Sequence, residues 1–188
     1  EKTTYGKIHE KMPTDTPEPL GKPVKLTSYV DANLCHCMVT GKAVTGIIHL
    51  LNKTPIDCFT KKQPSVETAT YGSEFMAART AVEQIIELRT TLRYLGIKVE
   101  GPTIMFVDNK TVVESCNVPK AKLHKRHVIL SFHRVRQAIA AKIIRFIHTP
   151  GAINPSDICS KHWGYRQIWH MLKALLFWEG DTSKITEE

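Results

Sequence analysis

The chain has 188 residues, 42% of them hydrophobic and 23% charged, a balance that suits one folded domain with a sizeable core and excludes a disordered or fibrous chain. Its 26 Lys and Arg against 18 Asp and Glu give a formal charge of +8 and a pI near 9.3, which points to a polyanionic partner. No apolar run is long enough to cross a bilayer, and there is no phosphate-loop GK[ST], no dinucleotide glycine fingerprint and no HExxH.

Residues 1–24 carry Pro13, Pro17, Pro19 and Pro23 with few large apolar groups, which predicts an extended arm or linker. The opening EKTTYGKIHEKMP has no apolar stretch of the secretory kind, and an internal cut from a longer polyprotein would read the same way. Regular structure is expected from Lys25. KLTSYVD (25–31) reads as a strand with Leu26 and Val30 on one parity and Tyr29 on the other. AVTGIIHLL (43–51) and IDCFT (56–60) give two more strands, with turn chemistry from Asn52 to Pro55, so the three predict an antiparallel meander.

From Thr70 to Leu95 the period changes. Phe75, Ala78, Val82, Ile85, Ile86 and Leu92 recur at helical spacing, with Thr68 or Thr70 as the expected cap and Gly96 as the stop. TIMFV (103–107) is a nearly continuous apolar run, the pattern of a central strand covered on both faces. A short helix over 110–116, a Pro and Lys loop, an amphipathic helix over 123–141 and a last strand over 143–147 follow. Asn154-Pro155 predicts a helix N-cap with Pro at the first position and Asp157 in the first turn. Ile168, Leu172, Leu175 and Leu176 set a final helix over residues 165–178. The expected organisation is an arm over 1–24, a domain over 25–164, and a C-terminal helix and tail over 165–188.

Two features concern partners. Between Lys110 and Arg145 stand Lys110, Lys120, Lys122, Lys125, Arg126, Arg134, Arg136, Lys142 and Arg145, with Glu114 as the only carboxylate; a solvated helix face mixes both signs, so this stretch predicts a nucleic-acid-facing surface. The five cysteines, Cys35, Cys37, Cys58, Cys116 and Cys159, fit reduced thiols. Cys35-His36-Cys37 is tighter than zinc-ligand spacing and has no second pair.

The chemistry sits at strand ends. Ser-Tyr-Val-Asp31 and Met-Phe-Val-Asp108 each close an apolar strand on an aspartate, and a crossover helix between them would make the strands parallel neighbours. Both carboxylates then emerge at one carboxyl edge, where open α/β sheets place ligands. Two carboxylates so close call for a shared proton or a hard cation such as Mg²⁺. Glu74, beside Thr70, Gly72 and Ser73, and Asp157 are further acids in first turns of helices. Each alone is explained by the helix macrodipole, and spacing does not bring all four together.

YVDA at Asp31, TYGSEFMA around Glu74, FVDN at Asp108 and HTPGAINPSDICSK through Asp157 occur in the order seen in ribonucleases H of copia-type retrotransposons. LLNKTPIDCFTKKQPSVET and KRHVILSFHRVRQAIA also resemble that family's connecting elements, so the likeness covers about residues 20–164. Asn33-Leu34-Cys35-His36-Cys37 departs from the aromatic or His plus small-residue pattern expected after the first aspartate. The resemblance implies an α/β, ribonuclease H-like fold: a five-stranded mixed sheet, a three-strand antiparallel meander plus parallel strands, with helices on both faces. It implies two Mg²⁺ ions, with Mn²⁺ as a possible substitute, on Asp31, Glu74, Asp108 and Asp157. Asp31 would bridge the ions, Glu74 and Asp108 serving one and Asp157 the other.

The implied activity is two-metal hydrolysis of the RNA strand of RNA–DNA hybrids, leaving a 5′-phosphate and a 3′-hydroxyl. His148, nine positions before Asp157, matches a mobile histidine that aids proton transfer or product release. A strand-end His with no catalytic duty is the competing expectation. Gln63 and Asn109 are candidate 2′-hydroxyl contacts, and Lys110, Lys120, Lys122, Lys125, Arg126 and Arg134 candidate phosphate contacts. His124, His127 and His133 are expected to pack or touch phosphates. The family also implies an adjacent reverse transcriptase domain, no membrane, and a cytoplasmic location within virus-like particles. Two rivals stand beside this: a catalytically silent or domesticated binding module of the same fold, and an integrase-like or Holliday-junction nuclease.

Overall fold

The computed structural model describes residues 5–34, 39–118, 121, 123 and 126–176. Five strands form one sheet: β1 (Leu26–Asn33), β2 (Val44–Leu51), β3 (Thr54–Lys62), β4 (Thr103–Val107) and β5 (Ile144–His148), in the order β3-β2-β1-β4-β5. β1 pairs antiparallel with β2 and β2 with β3; β1–β4 and β4–β5 are parallel. The expected meander with parallel strands added is therefore the observed sheet. Its β2–β3 hairpin closes on two residues, Leu51 pairing with Thr54, because Asn52 takes a left-handed φ of 57°.

α1 (Thr70–Tyr94) is the crossover that makes β1 and β4 parallel. Its Phe75, Ala78, Val82, Ile85 and Leu92 are buried, while Ile86 packs at the margin of the core. Fully burying a Val, Leu, Ile or Phe side chain stabilises by roughly 1.5–3 kcal/mol. The start differs from expectation: Ala69 is the N-cap and no side chain caps it. The stop is as read. Gly96, at φ +70°, donates to Arg93 O, and Ile97 N reaches back to Leu92 O, a Schellman closure that only a left-handed residue permits cheaply.

α2 (Lys110–Asn117) and α3 (Ile129–Ala140) join α1 on one face, closing a core with Val30, Ile47, Met105, Val107, Val112, Phe132 and Val135. α3 starts later than the expected helix over 123–141, because a 3-10 turn over Arg126–Val128 precedes it. β4 buries Thr103, Met105 and Val107 but leaves Ile104 and Phe106 half-buried; Phe106 stacks on Tyr29 at 5.0 Å on the second face. That face is more thinly covered than a continuous apolar run predicts, by α4 (Asp157–Ser160) and α5 (Tyr165–Leu175). In α5, Met171 is buried, Ile168, Leu172 and Leu175 are half-buried, and Leu176 beyond it is exposed. The helix expected over 165–178 ends sooner, at Leu175; residues 177 and 178 lie outside the described residues, as do Lys120, Lys122, Lys125, His124 and Cys35-His36-Cys37.

The Pro-rich arm is docked. Leu20 N donates to Gly96 O, Val24 N to Lys98 O, and Glu100 N to Val24 O. Upstream, Glu10 forms paired hydrogen bonds of 2.7–2.8 Å with both Arg89 and Arg93 of α1. Polar anchors, invisible to a reading of prolines and apolar spacing, fix it.

Candidate metal centre

The parallel pairing of β1 and β4 puts Asp31 and Asp108 at the same end of adjacent strands, since Val30 is in register with Val107. Glu74, on the first turns of α1, comes down over that edge. One ligand oxygen from each of Asp31, Glu74 and Asp108 lies within 4.8 Å of the others. Asp31 and Glu74 are buried, at 2% and 4% exposure, and Asp108 is half-buried. The three line a cavity of about 530 Å³ with Ala32, Asn33, Leu34, Thr70, Asn109, Lys110 and Lys161.

The electrostatics are those of negative charge that Lys161 compensates only in part. Glu74 Oε2 is buried without a hydrogen-bond partner. Burial, then the Asp31 and Asp108 carboxylates, push the Glu74 pKa well above the usual carboxylate range; the Ala32 N–H pulls only partly against them. Asp108 is raised to about 6 by burial and by Asp31. Three inward carboxylates, one oxygen orphaned, are a donor set of the hard, anionic kind that suits a divalent cation.

Asp157 is buried beside them, but differently held. Its pKa is also raised, by burial and by the Asp31 carboxylate, against the pull of Lys161. Its Oδ1 accepts from Lys161 Nζ at 2.6 Å, and the same ammonium stands 3.6 Å from Asp31 Oδ2. Ser160 Oγ donates to Asp31 Oδ2. α4 begins at Asp157 with Ser156 as N-cap, two residues later than Asn154-Pro155 predicts. Asn154 instead ties the loop to the strand that carries Asp31. Its Nδ2 donates to Val30 O at 3.0 Å, and its Oδ1 accepts from Ser156 Oγ at 2.6 Å.

Lys161, Ser160 and Gly46 are the site residues that reading the sequence missed. The first two stand inside the HTPGAINPSDICSK run. Gly46 is in register with Asp31, and a Cβ there would meet Ser156 O at 2.7 Å and Ser160 N at 2.9 Å. A lone glycine inside an apolar strand was the available signal of that close approach.

His148 ends β5, exposed, with Nε2 3.1 Å from the backbone oxygen of Asp108. It touches the strand end that bears a cluster acid. Asn109 caps α2, its Oδ1 accepting from Val112 N at 3.2 Å, and stands in the cavity wall with Lys110, which is 74% exposed. Gln63 is buried and donates to Thr45 Oγ1 and Ser73 O, both at 2.9 Å, so its amide ties β2 and α1 together. The missing side chain of Gly72 makes room for the Glu67 carboxylate, which a Cβ would meet. Glu67 in turn lies 2.7 Å from His127 Nε2, and His133 Nδ1 lies 2.7 Å from the Tyr5 hydroxyl, so both histidines pack locally.

The basic stretch divides. Arg126, Lys142 and Arg145 are exposed. Arg134 is engaged in a forked pair with Glu83, at 2.8 Å through both Nε and Nη2, and Arg136 is buried, donating to Ser115 O and Val118 O beyond α2. The reading of one sign along the stretch overlooked Glu83, which comes from α1. Cys58, Cys116 and Cys159 are free thiols.

No family model matches the chain. Over 141 residues, 75% of its length, it is 23% identical to the retrovirus-related Pol polyproteins from transposons RE2 and RE1 of Arabidopsis thaliana. Over 136 residues it is 21% identical to that from transposon TNT 1-94 of Nicotiana tabacum. The chain spans about a tenth of the length of these curated relatives. Among solved structures it is similar to an N-terminal ribonuclease H domain from Mycobacterium tuberculosis, with a TM-score of 0.56, 14% identity, and coverage of 82% of this chain and 98% of that one. It is also similar to LC11-RNase H1 in complex with an RNA/DNA hybrid, with a TM-score of 0.57, 16% identity, and coverage of 72% and 94%. A foamy viral protease-reverse transcriptase in complex with RNA/DNA hybrid aligns with a TM-score of 0.53, 15% identity, and coverage of 85% and 22%. No helix among the described residues is long and apolar enough to cross a membrane. The order and direction of the five strands, with an acid cluster at their shared edge, are thus a ribonuclease H fold, and the chain's homologues are Pol polyproteins of plant retrotransposons.

Proposed function

We propose that the chain is a metal-dependent endonuclease that hydrolyses the RNA strand of RNA–DNA hybrids, the ribonuclease H part of a retrotransposon Pol polyprotein acting in reverse transcription. The observation that carries this is the Asp31–Glu74–Asp108 cluster, Asp31 and Glu74 buried and Asp108 half-buried, with its partnerless Glu74 oxygen. Such a cluster costs stability in a metal-free fold and is repaid only when cations enter. Neighbours of the same fold bound to RNA/DNA hybrid supply the substrate class.

Asp31, Glu74 and Asp108 would hold one Mg²⁺ and Asp31 with Asp157 a second, Mn²⁺ being a possible substitute. Bound there, divalent cations supply water activation and stabilisation of a leaving 3′-oxygen. The chain's own residues do the positioning. β1 and β4 fix Asp31 and Asp108 on rigid backbone, and burial of Glu74 keeps water from screening its charge. Lys110 and Arg126 face solvent for phosphate contacts, and the free donors of the Asn109 amide are offered at the cavity wall for a 2′-hydroxyl. His148, exposed with Nε2 near the Asp108 backbone oxygen, would carry a proton to or from solvent; an unaltered pH–rate profile in His148→Ala would remove it from the scheme. An adjacent reverse transcriptase domain and work within virus-like particles complete the proposal.

A catalytically silent binding module of the same fold is the second reading, prompted by the basic charge. The acid cluster weighs against it, because a surface for phosphates gains nothing from buried carboxylates. Cleavage of an end-labelled RNA–DNA hybrid in Mg²⁺, with EDTA and Asp108→Asn controls, tests the proposal. Loss of cutting in both controls with duplex DNA intact supports it. Tight hybrid binding with no cutting in Mg²⁺ or Mn²⁺, even beside a polymerase domain, supports the silent module.

A further inference from the structure

The four acids do not share one environment. Glu74 carries an orphaned buried oxygen, and its charge is opposed by its neighbours Asp31 and Asp108. Asp157, by contrast, holds an ammonium: Lys161 Nζ lies 2.6 Å from its Oδ1 and 3.6 Å from Asp31 Oδ2. The Lys161 side chain is 31% exposed, against 2% for Asp31 and 10% for Asp157. Its backbone N–H donates to Asp157 O at 3.1 Å and the preceding Ser160 hydroxyl donates to Asp31, so the lysine is anchored at both ends of its reach.

We infer that Lys161 is the resident cation of the Asp31–Asp157 position: the chain takes one divalent ion at Asp31–Glu74–Asp108, and a second enters only by displacing the Lys161 ammonium. The inference rests on the metal-dependent reading above. Its physical basis is charge compensation. A position whose two carboxylates already share a fixed ammonium, 2.6 Å from Asp157 and 3.6 Å from Asp31, offers a divalent ion less net attraction than one in which Glu74 and Asp108 have no ion pair among the described residues. The two cation positions are therefore unequal by construction, and Lys161 sets the difference.

Mn²⁺ titration by isothermal calorimetry, without nucleic acid, reads this directly. Wild-type protein is expected to take one Mn²⁺ per chain, with any second at least about tenfold weaker. Lys161→Met is expected to take two, the second tightened by about tenfold or more, and adding Asp157→Asn to that variant is expected to abolish the second ion alone. Lys161→Gln keeps polar contact to Asp157 without the charge and is measured in parallel. Whichever of the two retains the wild-type circular dichroism decides the matter. Equal affinity for two ions in the wild type, or the same stoichiometry and affinities with and without the lysine charge, overturns the inference while hybrid cleavage by the wild type leaves the metal-dependent reading standing. Absence of any Mn²⁺ binding, with no hybrid cleavage, sinks the metal-dependent reading itself.

Discussion

Asp108 sits where burial and the Asp31 carboxylate both disfavour its charge, and its pKa rises to about 6; Glu74 is pushed upward by the same two causes and by Asp108. A carboxyl whose folded pKa exceeds its unfolded value contributes stability below the unfolded pKa, near 4, and loses it as pH rises through the folded one. The metal-free domain should therefore lose thermal stability as pH rises from about 4 through about 6, and Mg²⁺ should restore it. In EDTA at pH 7.5, Asp108→Asn should be the more stable protein by about 1–2 kcal/mol, after discounting for the partial exposure of Asp108. The same variant should lose the Mg²⁺-induced rise in Tm. A scanning-calorimetry series over pH, with and without Mg²⁺, checks all three, and a variant less stable than wild type in EDTA would contradict the account. The two aspartates were legible because each ends a period-2 or apolar run, and strand direction is enough to put such ends side by side. Lys161 was not, since its contact exists only once α4 folds back over the sheet.

α4 is four residues long, yet it delivers Asp157, Ser160 and Lys161 to the edge, and it can do so because β2 presents no side chain at Gly46. Gly46→Ala puts a Cβ against the Ser156 carbonyl and the Ser160 nitrogen, backbone atoms that have to move together. Overpacking of this kind costs about 1–3 kcal/mol. A shift of the acid by about 1 Å lowers the cleavage rate by about a hundredfold. Hybrid affinity should change little, so a rate loss with near-constant Kd marks the element at fault. At this scale the long helix, its glycine stop and the meander were legible, because each is written in a local period. The rest needed tertiary partners. Arg134, read from the sequence as a phosphate contact, is paired with Glu83 of α1. Lys110→Ala should consequently weaken hybrid binding and flatten its log–log salt dependence by about 0.7–0.9, the slope of one phosphate contact. Arg134→Ala should leave that slope within error, and a fall equal to that of Lys110→Ala would return Arg134 to the nucleic-acid face.

Across the whole molecule, the least legible feature is the arm. Prolines and a scarcity of apolar groups describe a linker well, but Glu10 binds the forks of Arg89 and Arg93, and Arg89 is 3% exposed with its remaining donors on Gly101 O and Thr103 Oγ1. Burial opposes the Glu10 charge, yet the two guanidiniums outweigh it and hold its pKa at about 2. Glu10→Gln leaves the Arg89 guanidinium buried and short of its counter-charge, the situation in which broken ion pairs are expensive. With Glu10 itself partly exposed, a loss of about 2–4 kcal/mol is expected. For a domain of this size that lowers Tm by roughly 5–15 °C. The sign with pH follows from a depressed carboxylate: the wild-type advantage should be full above about pH 4.5 and should shrink as pH falls towards 2, until the two proteins melt together. Melting curves of wild type and Glu10→Gln from pH 7 to pH 2 measure this. A gap that persists at the acid end would mean that the arm is held by shape, and that its ion pairs contribute nothing.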